Sequence, residues 1–206
     1  MSHYSRNNHG FTLMELLVSI AIVSVILTVV VSSQSTYNDE AVLVNLADEI
    51  SSTVSQAQAY GIGVREFSPG SSEFSASFGL TFSLLGSGSN TAYLSFADRN
   101  GNKIYDEDWS CPVGGTSECR EKVSIARGNY IESLCVVFIP GPDICNVGRV
   151  DISFARPSTE AQILFFNTGG ESFSPAGRKG AKVVLKSPSG LTRSVVVYTT
   201  GQVSVQ

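Results

Sequence analysis

Histidine is almost absent from this chain: the two copies, His3 and His9, both lie within the first nine residues. The remainder therefore cannot form a Ser-His-Asp or Cys-His catalytic unit, because both need an imidazole as the general base. The four cysteines include no Cys-x-x-Cys pair and have no histidine beside them, which disfavours a zinc site. Carboxylate chemistry stays open, but no acidic pair stands out. We expect a protein that is not an enzyme.

Charge is also sparse. Charged residues make up 16% of the 206 residues, against about a quarter in typical soluble domains. The formal net charge is −4, and the last twelve residues contain no basic run. A surface that binds polyanions needs clustered lysine and arginine, so we do not expect nucleic acid as a partner.

One segment lacks charge almost completely. From Phe11 to Val31 the only charged side chain is Glu15, and about 20 apolar residues in a helix span a bilayer core. We therefore predict a transmembrane helix over residues 11–31. Because Arg6 precedes the span, the positive-inside tendency places residues 1–10 in the cytoplasm and the rest of the chain outside.

The order of the segments before this helix is unlike that of a secretory signal peptide. Such a signal has its small-residue cleavage site after the apolar core, whereas Gly10 stands before it. Cleavage after Gly10 would leave the helix on the mature protein. The residues Gly10, Phe11, Thr12, Leu13 and Glu15 resemble the leader of type IV pilins and type II secretion pseudopilins. The alternative is an ordinary single-span anchor with a chance glutamate.

The resemblance implies roles for three of these residues. In that family a prepilin peptidase cuts after the glycine, here Gly10, and methylates the new amino terminus, here Phe11. The family's glutamate, here Glu15, pairs with the terminal amine of a neighbouring subunit during assembly. Glu15 lies four residues after Phe11, so on a helix the two would share a face. Pairing within one chain, or a carboxylate reaching the headgroups, are the alternatives.

The helix is expected to continue beyond the membrane. No glycine or proline occurs between Phe11 and Tyr60, and these are the strongest helix breakers. Apolar residues then recur at spacings of three and four, which indicates one buried face: Val42, Leu43, Leu46, Ile50, Val54 and Ala57. Gly61 and Gly63 predict its end. The predicted organisation is a leader (1–10), a transmembrane helix (11–31), its amphipathic half (32–60) and a β-rich head (61–206).

Strand patterns occupy the head. The runs predicted as strands are Phe74–Leu84, Thr91–Ala97, Lys122–Ile125, Ile131–Ile139, Arg149–Phe154, Ala161–Phe166, Ala181–Lys186, Arg193–Tyr198 and Gln202–Val205. An antiparallel sheet packed on the amphipathic helix buries both apolar faces, so the predicted fold class is α+β, the pilin fold. Residues 46–64, 96–108 and 193–205 resemble the heads of GspH/FimT-like minor pseudopilins.

The cysteines predict two disulfides. Cys111, Cys119, Cys135 and Cys145 are even in number, and an exported domain lies in an oxidising compartment. Four cysteines allow three connectivities. We favour Cys111–Cys119 and Cys135–Cys145, because a turn at residues 140–142 would bring the ends of the second pair face to face.

An acidic loop follows the second predicted strand. Its alternating oxygen-bearing side chains resemble the first ligands of a calcium loop: Asp98, Asn100, Asn102 and Asp106, with Asp108 as a further carboxylate. Lys103 and Trp109 stand where an EF-hand has Gly and Glu. Asp, Asn and Gly are also the usual residues of a turn, so the loop predicts either a calcium site or a plain turn, and no other cofactor is expected.

The function expected from these features is that of a minor pilin or pseudopilin in a type IV pilus or a type II secretion pseudopilus. Its expected partners are other pilin subunits, the prepilin peptidase and the assembly platform of the bacterial inner membrane. Two alternatives stay open: a surface binding module, such as an adhesin or a DNA-uptake tip pilin, and a membrane-anchored exported enzyme.

Overall fold

The computed structural model describes residues 10–63, 65–67, 70, 74–112 and 117–206, except the side chains of residues 32–37. Residues 1–9 of the predicted leader, with Arg6, lie outside this set. The chain divides into two compact units, Met1–Asn38 and Asp39–Gln206. One helix, α1, runs over Leu13–Ile62, so the division falls within it.

The described residues contain eleven strands: β1 (Ser77–Ser83), β2 (Ala92–Asp98), β3 (Cys119–Ser124), β4 (Tyr130–Phe138), β5 (Ile144–Val147), β6 (Arg149–Phe154), β7 (Gln162–Phe166), β8 (Ser172–Phe173), β9 (Arg178–Lys186), β10 (Thr192–Tyr198) and β11 (Val203–Val205). Each of the nine predicted strands coincides with one of these to within three residues at either end. Sequence reasoning missed β5 and β8, because both are short and lack the alternation that signals a strand.

The strands form two antiparallel sheets, where the sequence reasoning expected a single sheet. One sheet has six strands in the order β3-β2-β1-β6-β7-β8, and the other has five in the order β11-β10-β9-β4-β5. The predicted hairpin at the end of the chain is present, with Val196 opposite Ser204 in the β10–β11 pair. The α+β class with antiparallel sheets on a helix is confirmed.

One hydrophobic core joins the second half of α1 to both sheets. The helix contributes Leu43, Leu46, Ala47, Ile50, Val54 and Ala57, all of them buried. The six-stranded sheet contributes residues such as Leu80 and Ile152, and the five-stranded sheet residues such as Val183 and Val195. Burying one such aliphatic side chain stabilises the fold by about 1.5–3 kcal/mol. The predicted apolar face is therefore correct, apart from Val42, which is only half-buried.

The helix ends between the two glycines predicted to terminate it, with Gly61 still inside and Gly63 as the first residue outside. Gly61 is helical, and α1 ends one residue later at Ile62. A Cβ at Gly61 would lie 2.2 Å from the carbonyl oxygen of Phe154 in β6. The glycine therefore serves a close approach of helix and sheet. Gly63, outside the helix, still donates its N–H to the Ala59 carbonyl at 3.0 Å.

Candidate functional site

The predicted membrane anchor is a helical segment with no buried residues. Leu13–Val31 comprises 19 residues of mean hydropathy 2.7, and none of it is buried within the protein. Length and composition suffice to cross a bilayer core. A signal sequence near the amino terminus shares this length and composition, so the residues that flank the helix decide between the two.

The hydroxyl groups of the anchor are satisfied within the helix. Ser19 donates to the Glu15 carbonyl at 2.7 Å, Ser24 donates to the Ile20 carbonyl at 2.8 Å, and Thr28 bonds the carbonyl of Val25 at 2.8 Å. Backbonding of this kind leaves no hydroxyl hydrogen without an acceptor. Since unsatisfied polar groups are costly in lipid, the anchor can enter a bilayer without help from another chain at these positions.

Thr12 caps the helix, a role that sequence reasoning missed. Its Oγ1 accepts the N–H of Glu15 at 3.3 Å, and its carbonyl accepts the N–H of Leu16 at 3.2 Å. The signal was present as Thr-x-x-Glu, the spacing of a capping box. Because the helix begins only at Leu13, Phe11 lies outside it. The expected sharing of one helical face by Phe11 and Glu15 is not seen in the described chain.

The Glu15 carboxylate has no partner among the described residues. No hydrogen bond or ion pair to it is formed there, although it lies in the first turn of α1, where the helix dipole favours an anion. A carboxylate near a bilayer costs free energy unless it is paired. Glu15 is therefore available to a positive group that the described chain does not supply.

Gly10 is not required by the fold of the described residues. It is exposed, and a Cβ built on it would meet no described atom within 4 Å. Its backbone also lies outside the left-handed region that favours glycine. The described fold therefore tolerates a larger residue at position 10, and the cleavage after Gly10 stays a prediction from the sequence.

The cysteines form two bridges, Cys111–Cys119 and Cys135–Cys145, which is the connectivity that the sequence favours. The first bridge packs in a small cluster with Tyr105 and Trp109, beside β2. The second joins β4 to β5 and closes a hairpin. Each bridge closes a short segment of chain, with sequence separations of 8 and 10, so in the chain-entropy account each contributes about 2–3 kcal/mol.

The predicted calcium ligands are engaged by the loop itself. Asp98 is buried and accepts the hydroxyl of Ser77 and the N–H groups of Gly101 and Lys103 at 2.8–2.9 Å. Asp106 is exposed, and its Oδ2 accepts the side-chain amides of Asn100 and Asn102, each at 2.6 Å.

Asp108 is turned to another partner, since its Oδ1 accepts the N–H of Ser110 at 2.9 Å. This bond and the hydroxyl of Ser110 lower the pKa of Asp108. Within the described ranges, no three Asp, Glu, His or Cys side chains are grouped so as to hold a metal ion. The calcium site stays a prediction from the sequence.

An ion pair between the half-buried Arg149 and the buried Asp151, not anticipated from the sequence, ties this loop to the six-stranded sheet. Asp151 of β6 accepts the Thr81 hydroxyl at 2.6 Å and the Tyr105 N–H at 3.1 Å. Arg149 donates to both carboxylate oxygens of Asp151 and to the Tyr105 carbonyl. Burial raises the pKa of Asp151, although Arg149 opposes this. No local motif marks the pair, because its partners are far apart in the chain.

A second buried carboxylate, Glu118, holds the other side of the loop. It accepts the N–H groups of Arg99 and Asp106, each at 3.2 Å. Burial raises the pKa of Glu118, with Asp106 and Asp98 acting in the same direction. Asp151 and Glu118 together fix the loop from two sides.

Comparison with known proteins identifies one feature. Residues 5–31 match the model of the prokaryotic N-terminal methylation motif. No curated protein matches the chain, and no solved structure does. The match covers the capped start of α1, Gly10, Phe11, Glu15 and the anchor, and it does not extend to the head. The motif implies processing by a prepilin peptidase and assembly with other pilins, and it supports a type IV pilin or pseudopilin subunit.

Proposed function

We propose that this protein is a minor subunit of a type IV pilus or of a type II secretion pseudopilus, with a GspH/FimT-like head. The observation that carries the proposal is the coincidence, within residues 5–31, of the methylation motif with an unburied apolar helix. The leader lies in the cytoplasm, the anchor spans the inner membrane, and the head lies outside until the assembly platform extracts the subunit.

Processing gives the mature amino terminus. The peptidase cuts between Gly10 and Phe11 and methylates the amine of Phe11. Exposure of both residues supports this step, since the bond is accessible. Phe11 precedes the capped helix, so it can enter a protease cleft without unwinding α1.

Assembly uses Glu15. Its carboxylate has no partner among the described residues, and the methylated amine of a neighbouring Phe11 would supply the opposite charge. Ion pairing in a low dielectric is much stronger than in water, so the pair sets the register of neighbouring subunits as they leave the membrane. Both disulfides then stabilise a head that functions outside the cytoplasm, in the periplasm or at the cell exterior.

Intact-protein and peptide mass spectrometry of the chain expressed with a prepilin peptidase tests the processing. We expect an N-methylated Phe11 terminus, and Gly10→Val should leave Met1 in place. Gly86→Val is the matched control, because Gly86 is also a glycine with no described atom within 4 Å of a Cβ. A Met1 terminus in the native protein, or efficient processing of Gly10→Val, would refute the proposal.

The assembly step has its own experiment. Glu15→Gln keeps the shape of the side chain and removes its charge, so cleavage should continue while incorporation into sheared filaments falls. Ser19→Ala is the control, since among the described residues the Ser19 hydroxyl bonds the Glu15 carbonyl of its own helix. Normal incorporation of the Glu15→Gln variant would contradict the pairing with the neighbouring amine.

A further inference from the structure

A cavity opens in the Asp39–Gln206 unit between the end of α1 and the six-stranded sheet. Its volume is about 170 Å³, close to that of cavities of about 150 Å³ that admit benzene. The residues that define it are Tyr60, Arg65, Phe78, Phe96, Arg120 and Glu121, and we call it the Arg65–Arg120 cavity. Phe78 and Phe96 are 2% and 1% exposed, whereas both arginines are exposed. The Phe78 ring therefore forms an apolar floor, and the two arginines stand at the mouth together with the exposed Glu121.

Both guanidinium groups are held against aromatic rings. The Arg65 guanidinium carbon lies 3.6 Å from the centroid of the Tyr60 ring, and that of Arg120 lies 5.5 Å from the Phe78 centroid. The two rings contact each other edge to face, with centroids 5.8 Å apart. Arg120 also donates to the backbone carbonyl of Phe67. The cation–π contacts restrict both arginine side chains, and the bond to Phe67 restricts Arg120 further. Little additional rotamer entropy of the arginines would therefore be lost when a ligand binds.

Neither arginine has a carboxylate partner among the described residues. Elsewhere in the described chain, buried or half-exposed cations such as Arg149, Lys182 and Lys186 do form ion pairs. At this cavity two like charges converge instead: although Arg120 reaches solvent, partial desolvation of its guanidinium lowers its pKa, and the nearby charge of Arg65 acts in the same direction. An anion between the two guanidinium groups would relieve this repulsion.

We propose that the Arg65–Arg120 cavity binds a small organic carboxylate with a ring-sized apolar body. The planar carboxylate suits the forked donors of arginine, and the body would pack on the Phe78 ring beside Tyr60, where aromatic side chains offer a large contact area. The carboxylate belongs either to a free acid or to the end of a peptide with an aromatic last residue. Inorganic phosphate lacks the apolar body and suits only the mouth.

The experiment titrates the full chain in detergent micelles with 3-phenylpropionate, followed by heteronuclear NMR and calorimetry. We expect saturable binding, with 3-phenylpropanamide and inorganic phosphate each at least about tenfold weaker, a difference that corresponds to roughly 1.4 kcal/mol. A parallel titration with N-acetyl-glycyl-phenylalanine identifies the source of the carboxylate. Tighter binding of this peptide assigns the cavity to chain ends, and weaker binding assigns it to free acids.

Variants test the geometry. Arg65→Gln should weaken 3-phenylpropionate about tenfold, because it removes one of the two cations while Arg120 keeps its bond to Phe67. Lys179→Gln is the matched control: it removes one positive charge from an exposed site in β9 of the other sheet, and its affinity should stay within about twofold of wild type. Glu121→Gln should tighten binding, because it removes the carboxylate found among the described residues that line the cavity.

Three results would overturn the proposal. The first is the absence of saturable 3-phenylpropionate binding by the wild-type chain. The second is equal affinity for the amide, which would show that the carboxylate is not recognised. The third is an unchanged affinity of Arg65→Gln in a sample whose melting temperature equals that of wild type.

Discussion

Removing the Asp151 carboxylate should destabilise the head strongly and release the loop that it holds. The Asp151 side chain is fully buried and that of Arg149 is 18% exposed, with Nη2 of the arginine 2.5 Å from Oδ2 of the aspartate. Asp151→Ala would leave the guanidinium and the Thr81 hydroxyl without their main acceptor. Breaking a buried pair from one side costs about 3–5 kcal/mol.

The corresponding change in melting temperature is large. In a domain of 150–250 residues, 1 kcal/mol shifts the melting temperature by about 2–4 °C. Asp151→Ala should therefore melt roughly 10 °C below wild type, as measured by near-ultraviolet circular dichroism with the disulfides intact. Hydrogen exchange gives a local readout: the Tyr105 amide donates to Asp151 at 3.1 Å and should lose protection in the variant.

An exposed ion pair provides the control. Arg193 and Glu40 lie 3.3 Å apart, and their side chains are 39% and 52% exposed. Pairs of this kind contribute about 0–1 kcal/mol, so Arg193→Gln should melt within about 3 °C of wild type. A melting temperature of Asp151→Ala equal to that of Arg193→Gln, with Tyr105 still protected, would refute the reasoning.

Three other predictions concern the head. Gly61→Ala should destabilise the head by about 2 kcal/mol in denaturant unfolding, because overpacking against Phe154 outweighs the gain in helix propensity. The control Gly86→Ala should leave the stability unchanged. Equal denaturation midpoints of the two variants would contradict the close approach of Gly61 to Phe154. Burial raises the pKa of Glu118, so the stability that its protonated form contributes is complete below the unfolded pKa of about 4.3 and is lost as the pH rises through the raised value. The melting temperature of Glu118→Gln should therefore fall less steeply above about pH 4 than that of wild type. Equally steep falls in the two proteins would contradict this prediction. If calcium binds the acidic loop, millimolar calcium should raise the melting temperature above that measured in EDTA, and Asp106→Asn should abolish this rise. Identical melting temperatures of the wild-type protein in the two solutions would exclude the site.

Local features of the sequence were enough for the elements whose causes are local. The anchor follows from the apolar run between Phe11 and Val31, and the continuous helix follows from the absence of glycine and proline before Tyr60. The buried face of α1 follows from a repeat of three and four residues. The pairing of Cys135 with Cys145 follows from a turn between neighbours in the chain.

The tertiary structure decided what depends on residues far apart in the chain. Alternating apolar and polar residues indicate a strand but not the sheet that it joins, so the structure has two sheets where one was expected. The short strand β5 is defined by its pairing with β4 rather than by its own sequence. The role of Gly61 depends on the carbonyl of Phe154, and that of Asp151 on the backbone of Tyr105. Such contacts form only when the helix and sheets bury their apolar faces together. The hydrophobic free energy that drives this burial is non-directional, so no local sequence pattern marks which distant residues will meet.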